Sequence, residues 1–524
     1  MITFKFFSYV SIYVCEFFID IFGGIMQGYL FGFLSGVANG ITQRINSGIQ
    51  IFTDGYKIIT QKENFVLGEL AERALKSDEG YASTYLGLPF AKLASFHVVT
   101  GDKYLKEAAS FGEYDKKTLA KFDPQSRSLF EPLKEFLGDA SIINMNGPEV
   151  TAERKAIKQY LSISNAAAVS REVFADIVNK WSSEKSINDQ VCYGCTQVIA
   201  TAWFNCKNIP EEIVPLLKKA EYYVFNRDKV TDADFQKLRG QLKALNDKYM
   251  KDHAAEILGT DNYLKHMYTA RKSKNLEDLN GLLGLVVEGN ITTVLTCAIL
   301  QIATQPELQK ALREELKGFD MNVLSSPEGY AKVRELKLLN NIYLEALRYF
   351  SPAPPLVRYA SKTGKMGDKD IPARSYIFMP LRQIMHDPKK WGSPQVFDPA
   401  RHEQSQVRVN NYPLTPFSTG PRVCPASFGF AEALFKIALL SIFKDQELRL
   451  TSHNQLEKIP VKTKEPRLKK DYFGELKSSF ELKDDGEAIV HAYSNHQVTT
   501  ELTAQQMQVP VYLTEEKKKT GLKC

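Results

Sequence analysis

Pro416-Phe417-Ser418-Thr419-Gly420-Pro421-Arg422-Val423-Cys424-Pro425-Ala426 is followed directly by a helix-forming apolar run from Ser427 to Phe443. One cysteine sits where that run begins, behind a turn of Gly and Pro and two residues after an Arg. A helix N-terminus and a nearby cation both stabilise a thiolate over a thiol, and the thiolate is the form that ligates a metal. The bland reading of Cys424 on its own is a small buried hydrophobe, the common fate of a free cysteine. What separates the two is the pattern around it.

That pattern, F-x-x-G-x-R-x-C-x-A from Phe417 to Ala426, resembles the cysteine-ligand loop of the cytochrome P450 family. The resemblance implies a mainly α fold with a minor β-sheet component, holding haem b between a central distal helix and the proximal Cys-loop helix. It makes Cys424 the axial ligand, whose electron density favours O–O bond cleavage at the iron. Phe417 and Gly420 belong to the same cofactor loop, with Gly420 letting the backbone approach the porphyrin. Arg422 is implied as a propionate partner through a fork-shaped, charge-assisted hydrogen bond.

Further matches follow the same order along the chain. Pro148 to Tyr160 reads as an amphipathic helix with Pro148 near its start. There the family offers a Trp or His and, four residues later, an Arg to the propionates. Val150 stands at the first position and Arg154 at the second, so Arg154 is read either as a propionate ligand or as a solvated charge. Arg358 is implied as a further propionate partner. Glu345 and Arg348, three apart on one turn, form a pattern that alone marks an ordinary surface pair. With Arg401 downstream they resemble a buried Glu-Arg-Arg network that braces the cysteine loop and has no chemical role. His402 follows where an aromatic is common.

Asn275 is a candidate N-cap for a long apolar helix from Leu279 to Leu300, which resembles the family's central distal helix. Two departures mark it: Ile291 stands where an acid usually precedes the threonine, and Glu288 where Ala is usual. Glu288 and Thr292 are four apart and share one face of such a helix. A carboxyl in an apolar helix carries a desolvation cost that raises its pKa, which suits proton transfer. Glu288 is therefore the candidate distal acid/base and Thr292 the residue that orients oxygen, peroxide or water. The bland reading pairs Glu288 with a distant base and lets Thr292 bond back to a helix carbonyl.

The N-terminal stretch is unlike the rest. From Ile21 to Gln43 no charged residue occurs, and Gly24, Gly28, Gly32, Gly36 and Gly40 recur every four residues. That length spans a hydrocarbon core, and the glycine stripe suits close helix packing in lipid. Residues 1–45 are expected to be a membrane anchor, residues 46–510 the haem-thiolate domain, and residues 511–524 a polar tail. A cleaved secretory signal and a buried soluble helix are the competing readings. Arg44, Lys57 and Lys62 follow the span and only Lys5 precedes it, which places the large domain on the cytoplasmic side.

The 524 residues carry a net charge of +6, too mild and too spread for a nucleic-acid partner. Seven cysteines in no extracellular spacing fit a reducing compartment, and Cys192 with Cys195 lie in a stretch that reads as a buried helix. No G-x-G-x-x-G fingerprint occurs, so electrons are expected from a separate reductase or ferredoxin. The reading is thus a monooxygenase activating O2 to oxidise a small apolar substrate such as a lipid or sterol. Its rivals are a peroxide-using enzyme, an isomerase or dehydratase acting on an oxygenated lipid, and a non-catalytic haem protein.

Overall fold

A computed structural model describes residues 69–110 apart from 89–90, residues 148–351 and 356–448 apart from short internal stretches, residues 480–482 and 488–490, and the isolated positions 136 and 142. The expected anchor at 1–45 and the tail at 511–524 lie outside the described residues. Residues 1–62 with 84–94 cluster as one compact unit, residues 63–83 and 95–524 as a second, larger one.

Helices dominate it. After a short helix at Ala71–Lys76 come strands β1 (Tyr81–Leu88) and β2 (Ala91–Val99), then helices α1 (Asp102–Ser110), α2 (Pro148–Tyr160), α3 (Ile163–Asn179) and α4 (Ile187–Phe204). Further along, with other helices between them, stand α5 (Gly289–Ala303), α6 (Lys337–Phe350), strands β3 (Leu356–Ala360) and β4 (Ser375–Met379), and α7 (Phe430–Phe443). The one larger sheet among the described residues has the order β1-β2-β4-β3. β2 pairs parallel to β4, with Phe96 opposite Tyr376, and β3 pairs antiparallel to β4, with Arg358 opposite Ile377. All five residues of β4 are buried, as a strand paired on both edges and covered on both faces requires.

Local chemistry sets several boundaries. Pro148 opens α2, and Pro306 opens the helix after α5, at the position where a missing N–H costs nothing. Ser162 caps α3 by accepting from the Asn165 N–H. The helices share one apolar core to which α3, α4, α5, α6 and α7 all contribute, with Phe174, Val198, Leu295, Leu347 and Leu434 among its members. α7 lies deepest: every residue from Phe430 to Phe443 is buried except Glu432 and Ser441, which are partly so.

Two sequence expectations need correction. The apolar stretch from Leu279 to Leu300 is not one α-helix. Leu276–Leu279 is a short 3₁₀ turn ended by Asn280 at φ +52°, and a second 3₁₀ stretch, Leu283–Glu288, leads into α5 at Gly289. Asn280-Gly281 and Gly284 explain the break, since neither residue type favours a helix interior. A Cβ at Gly281 would lie 2.8 Å from Met250 Cε, so a larger residue there would displace the tip of that side chain. Asn275 precedes the first 3₁₀ turn without a side-chain cap bond. The whole segment Leu276–Ala303 is long and apolar enough to cross a membrane, yet 79% of its apolar window is buried inside the protein.

The second correction concerns α7, which starts at Phe430 and not at Ser427. A 3₁₀ turn, Pro425–Phe428, intervenes, and Gly429 reverses the chain at φ +113°. A side chain at Gly429 would collide with Ile163 at the start of α3, with Cβ only 2.4 Å from Ile163 Cδ1. Close approach of the two helix ends therefore selects glycine there.

Candidate functional site

The cysteine loop is closed by its own backbone. Ser418 N donates to Thr415 O at 3.0 Å, Val423 N to Gly420 O at 3.1 Å, and Cys424 N to Phe417 O at 2.9 Å. Ser418 and Gly420 both take φ +73°. At Gly420 a Cβ would stand 3.1 Å from Ala109 Cβ and 3.2 Å from Ser110 Oγ, so the loop nests closely against the end of α1. Phe417 packs on the main helical core. Arg422 ends the short 3₁₀ turn Gly420–Arg422.

Cys424 caps the following 3₁₀ turn, with Ser427 N at 3.1 Å and Ser427 Oγ at 2.7 Å donating to its carbonyl oxygen. Burial pushes its thiol above the ordinary value; the Ala426 N–H, the Arg154 charge and the Ser427 N–H pull the other way. These groups are arranged to receive negative charge on sulfur. The thiolate support comes from the 3₁₀ turn itself, since α7 begins six residues after the cysteine.

Arg154, on α2, donates from Nη2 to the carbonyl oxygen of Val423 and holds the loop from the side. Burial lowers its own pKa, partly offset by the Cys424 charge. Arg358 is almost wholly buried on β3, its Nε donating to Ala109 O at 3.0 Å and Nη1 to Val357 O at 3.0 Å. Ala109 is the residue against which Gly420 rests, so Arg358 and the cysteine loop meet at the same end of α1.

Glu345, Arg348 and Arg401 come together. Arg348 forks the carboxylate from Nε at 2.8 Å and Nη2 at 2.7 Å, and Arg401 Nε reaches Oε1 at 3.0 Å. The same guanidinium groups donate to backbone carbonyls of the 385–396 segment, Arg348 to Met385, Pro394 and Val396, Arg401 to Gly392, Ser393 and Val396. Burial alone would raise the Glu345 carboxyl; Arg348, His402 and Arg401 outweigh it and hold it at about 2.

Thr292 and Thr293 are buried in the first turns of α5. Glu288 is the last residue of the preceding 3₁₀ stretch, so the α-helical spacing that put it on one face with Thr292 does not run through it. Its side chain lies outside the described ones.

Three features escaped sequence reading. His402 bonds Glu345, with Nε2 3.0 Å from Oε2. Lys436, buried in α7, is neutralised by Glu432 at 2.6 Å and bonds Asn340, while Arg334 forks Glu432 at 3.2 Å. Phe428 stands half exposed beneath the Lys158 ammonium, 3.9 Å from its ring centroid. Of these only the Glu432–Lys436 spacing of four left a trace in the sequence.

Among the described residues no group of three or more His, Cys, Asp or Glu side chains could hold a metal ion. The sulfur with its N–H donors, a glycine cradle and nearby arginines for carboxylates fit haem.

A family model for cytochrome P450 matches residues 231–470. That stretch is similar to cytochrome P450 in sequence. Similar proteins include human cytochrome P450 3A5, 27% identical over 261 residues covering 48% of this chain and 49% of the relative. Another is the phenylacetaldehyde oxime monooxygenase CYP71AN24 of Prunus mume, 32% identical over 170 residues, 30% of this chain and 31% of that protein. The chain thus spans about half the length or less of the curated relatives it matches. The fold extends further than the sequence likeness: a 6-coordinated cytochrome P450 from Thermus thermophilus superposes over 73% of this chain and 91% of its own, at TM-score 0.52 and 18% identity. The P450 fold therefore reaches beyond the matched residues, into elements whose sequences carry no diagnostic motif.

Proposed function

We propose that the P450 domain works as a haem-thiolate monooxygenase, with Cys424 as the axial ligand to haem b. The observation that carries this is the cysteine loop, where the Cys424 sulfur lies among the Ala426 and Ser427 N–H groups and Arg154. When bound, haem with a thiolate ligand supplies O2 activation and O–O cleavage. Arg422, Arg358 and Arg154 are the residues proposed to meet its propionates, with Arg154 at the same time holding Val423. Glu345, Arg348 and Arg401 keep the 385–401 segment seated and take no part in the chemistry.

Thr292, buried in α5, is proposed to orient the oxygen species, and Glu288 to hold and move the proton. Electrons come from a separate reductase or ferredoxin. The apolar character of α5 suits a small apolar substrate such as a lipid or sterol, and the uncharged run Ile21–Gln43 suits attachment to a membrane with the domain on the cytoplasmic side.

The deciding measurement is the reduced, carbon-monoxide-bound absorption spectrum of the purified chain and of Cys424→Ser. The wild type is expected to show the thiolate-ligated band and the variant to lose it. Protein that binds no porphyrin, or an unchanged spectrum in the variant, would end the proposal. Ile291, apolar where the family commonly has an acid, favours a second reading in which peroxide replaces O2 and the electron donor; turnover with hydrogen peroxide alone would select it.

A further inference from the structure

The Glu345 carboxylate accepts five hydrogen bonds: two from Arg348, one each from Arg401 Nε, the Asp398 N–H at 2.8 Å, and His402 Nε2. Their distribution over the two oxygens is uneven. Oε1 is met by Arg348, Arg401 and Asp398, whereas Oε2 has only Arg348 Nε and His402. An ionised carboxylate only accepts, so the proton in the contact with His402 must sit on Nε2. Nδ1 is buried and makes no hydrogen bond among the described residues, which is where the ring's lone pair belongs. The ring is held edge-on to Trp391 at 5.9 Å between centroids, and both His402 and Glu345 side chains are shut off from water.

We propose that His402 is a positioning residue of this network. As the Nε2–H tautomer it donates to the otherwise under-served oxygen of Glu345 and fixes the carboxylate plane in which Arg348 and Arg401 can both reach it. A phenyl ring of the same outline would fill the space and leave one face of Oε2 against carbon. The consequence passes along the chain, because the two guanidinium groups that Glu345 aims are the ones gripping the carbonyls of residues 385–396. Donor chemistry, and not ring volume, is what position 402 supplies.

The test compares His402→Phe, which keeps the shape, with His402→Gln, which keeps an N–H donor, in the full-length holoprotein. The rate at which haem passes to excess apomyoglobin should rise about tenfold in His402→Phe, the scale of one lost hydrogen bond to a charged group. In His402→Gln it should stay within about threefold of the wild type. Unchanged release in His402→Phe, or equal acceleration in the two variants, would overturn the proposal. A second readout does not depend on haem binding: in protein carrying ¹⁵N-labelled histidine, diamagnetic as the ferrous carbon-monoxide complex or as haem-free chain, the signal lost in His402→Gln must be that of a ring protonated on Nε2 alone. Protonation on Nδ1 would overturn it. Failure of the chain to take up haem would strike the proposed function and leave this second test decisive.

Discussion

Arg154 Nη2 donates to the carbonyl oxygen of Val423, linking two residues 269 positions apart in sequence and placing a guanidinium one peptide away from Cys424. Truncating it to Ala leaves that carbonyl without its donor and withdraws positive charge from the sulfur. We expect Arg154→Ala to lower stability by about 1–2 kcal/mol and to speed haem release, with Arg154→Lys in between because the single ammonium keeps the charge but not the fork. Urea unfolding and transfer of haem to apomyoglobin would measure both. Equal behaviour of Arg154→Ala and wild type would mean that the contact is incidental.

Glycine at 429 is under two constraints, a φ of +113° and a collision with Ile163, whereas Gly420 at φ +73° meets Ala109 Cβ at 3.1 Å and Ser110 Oγ at 3.2 Å, tight contacts that a small shift relieves. Gly420→Ala should cost about 1–3 kcal/mol, the scale of backbone strain alone. Gly429→Ala should cost more, and Ile163→Ala combined with it should recover part of the excess, since the clash is with a side-chain tip. Strict additivity in the double-mutant cycle would show that Ile163 is not the obstacle.

Much of this was legible in the sequence, and the limits have physical causes. Pro148 and Pro306 announce helix starts because their chemistry is local, and the Cys424 loop is legible because turn residues, cation and ligand lie within eleven positions. The partnership of Glu345 with His402 was not: the two are 57 positions apart, and a histidine in an aromatic slot reads as packing. The break at Asn280-Gly281 was hidden by continuous hydrophobicity, which reports burial but not helix type. Gly429 reads as a helix residue until Ile163 is placed against it.

Acid should weaken the folded protein in two stages. His386 is buried, and that burial, together with the Arg348 and Arg382 charges, holds its pKa well below the ordinary value of 6.5. The unfolded chain then binds the proton first, so stability is full above about pH 6.5 and declines as pH falls below it. Glu345, held at about 2 against an unfolded value of 4.5, adds a second loss that begins near pH 4.5 and is complete only below pH 2. Its full size is on the order of 3 kcal/mol. In Glu345→Gln the second stage should lose the Glu345 share and keep that of Glu432, whose carboxyl Lys436 and Arg334 also hold below its ordinary value, at a cost of about 3–5 kcal/mol at neutral pH from stranding Arg348. Unfolding free energies followed from pH 8 to pH 3 would test the order; a single transition centred on one pKa would contradict it.

Thr292 gives the sharpest separation of chemistry from architecture. It is buried at the start of α5, and Thr292→Val preserves its volume and β-branched shape while removing one hydroxyl. The stability change should stay near 1 kcal/mol, and the carbon-monoxide spectrum should not move, since Cys424 and its N–H donors are untouched. If the hydroxyl orients the reacting oxygen species, product formed per electron pair consumed should fall severalfold, with the balance appearing as peroxide. If Glu288 carries the proton, Glu288→Gln should act differently, slowing turnover and flattening its pH dependence while leaving coupling less affected. Unaltered coupling in Thr292→Val with normal turnover in Glu288→Gln would remove both residues from the reaction and shift the search for the proton path to the backbone groups around Gly289 and Thr293.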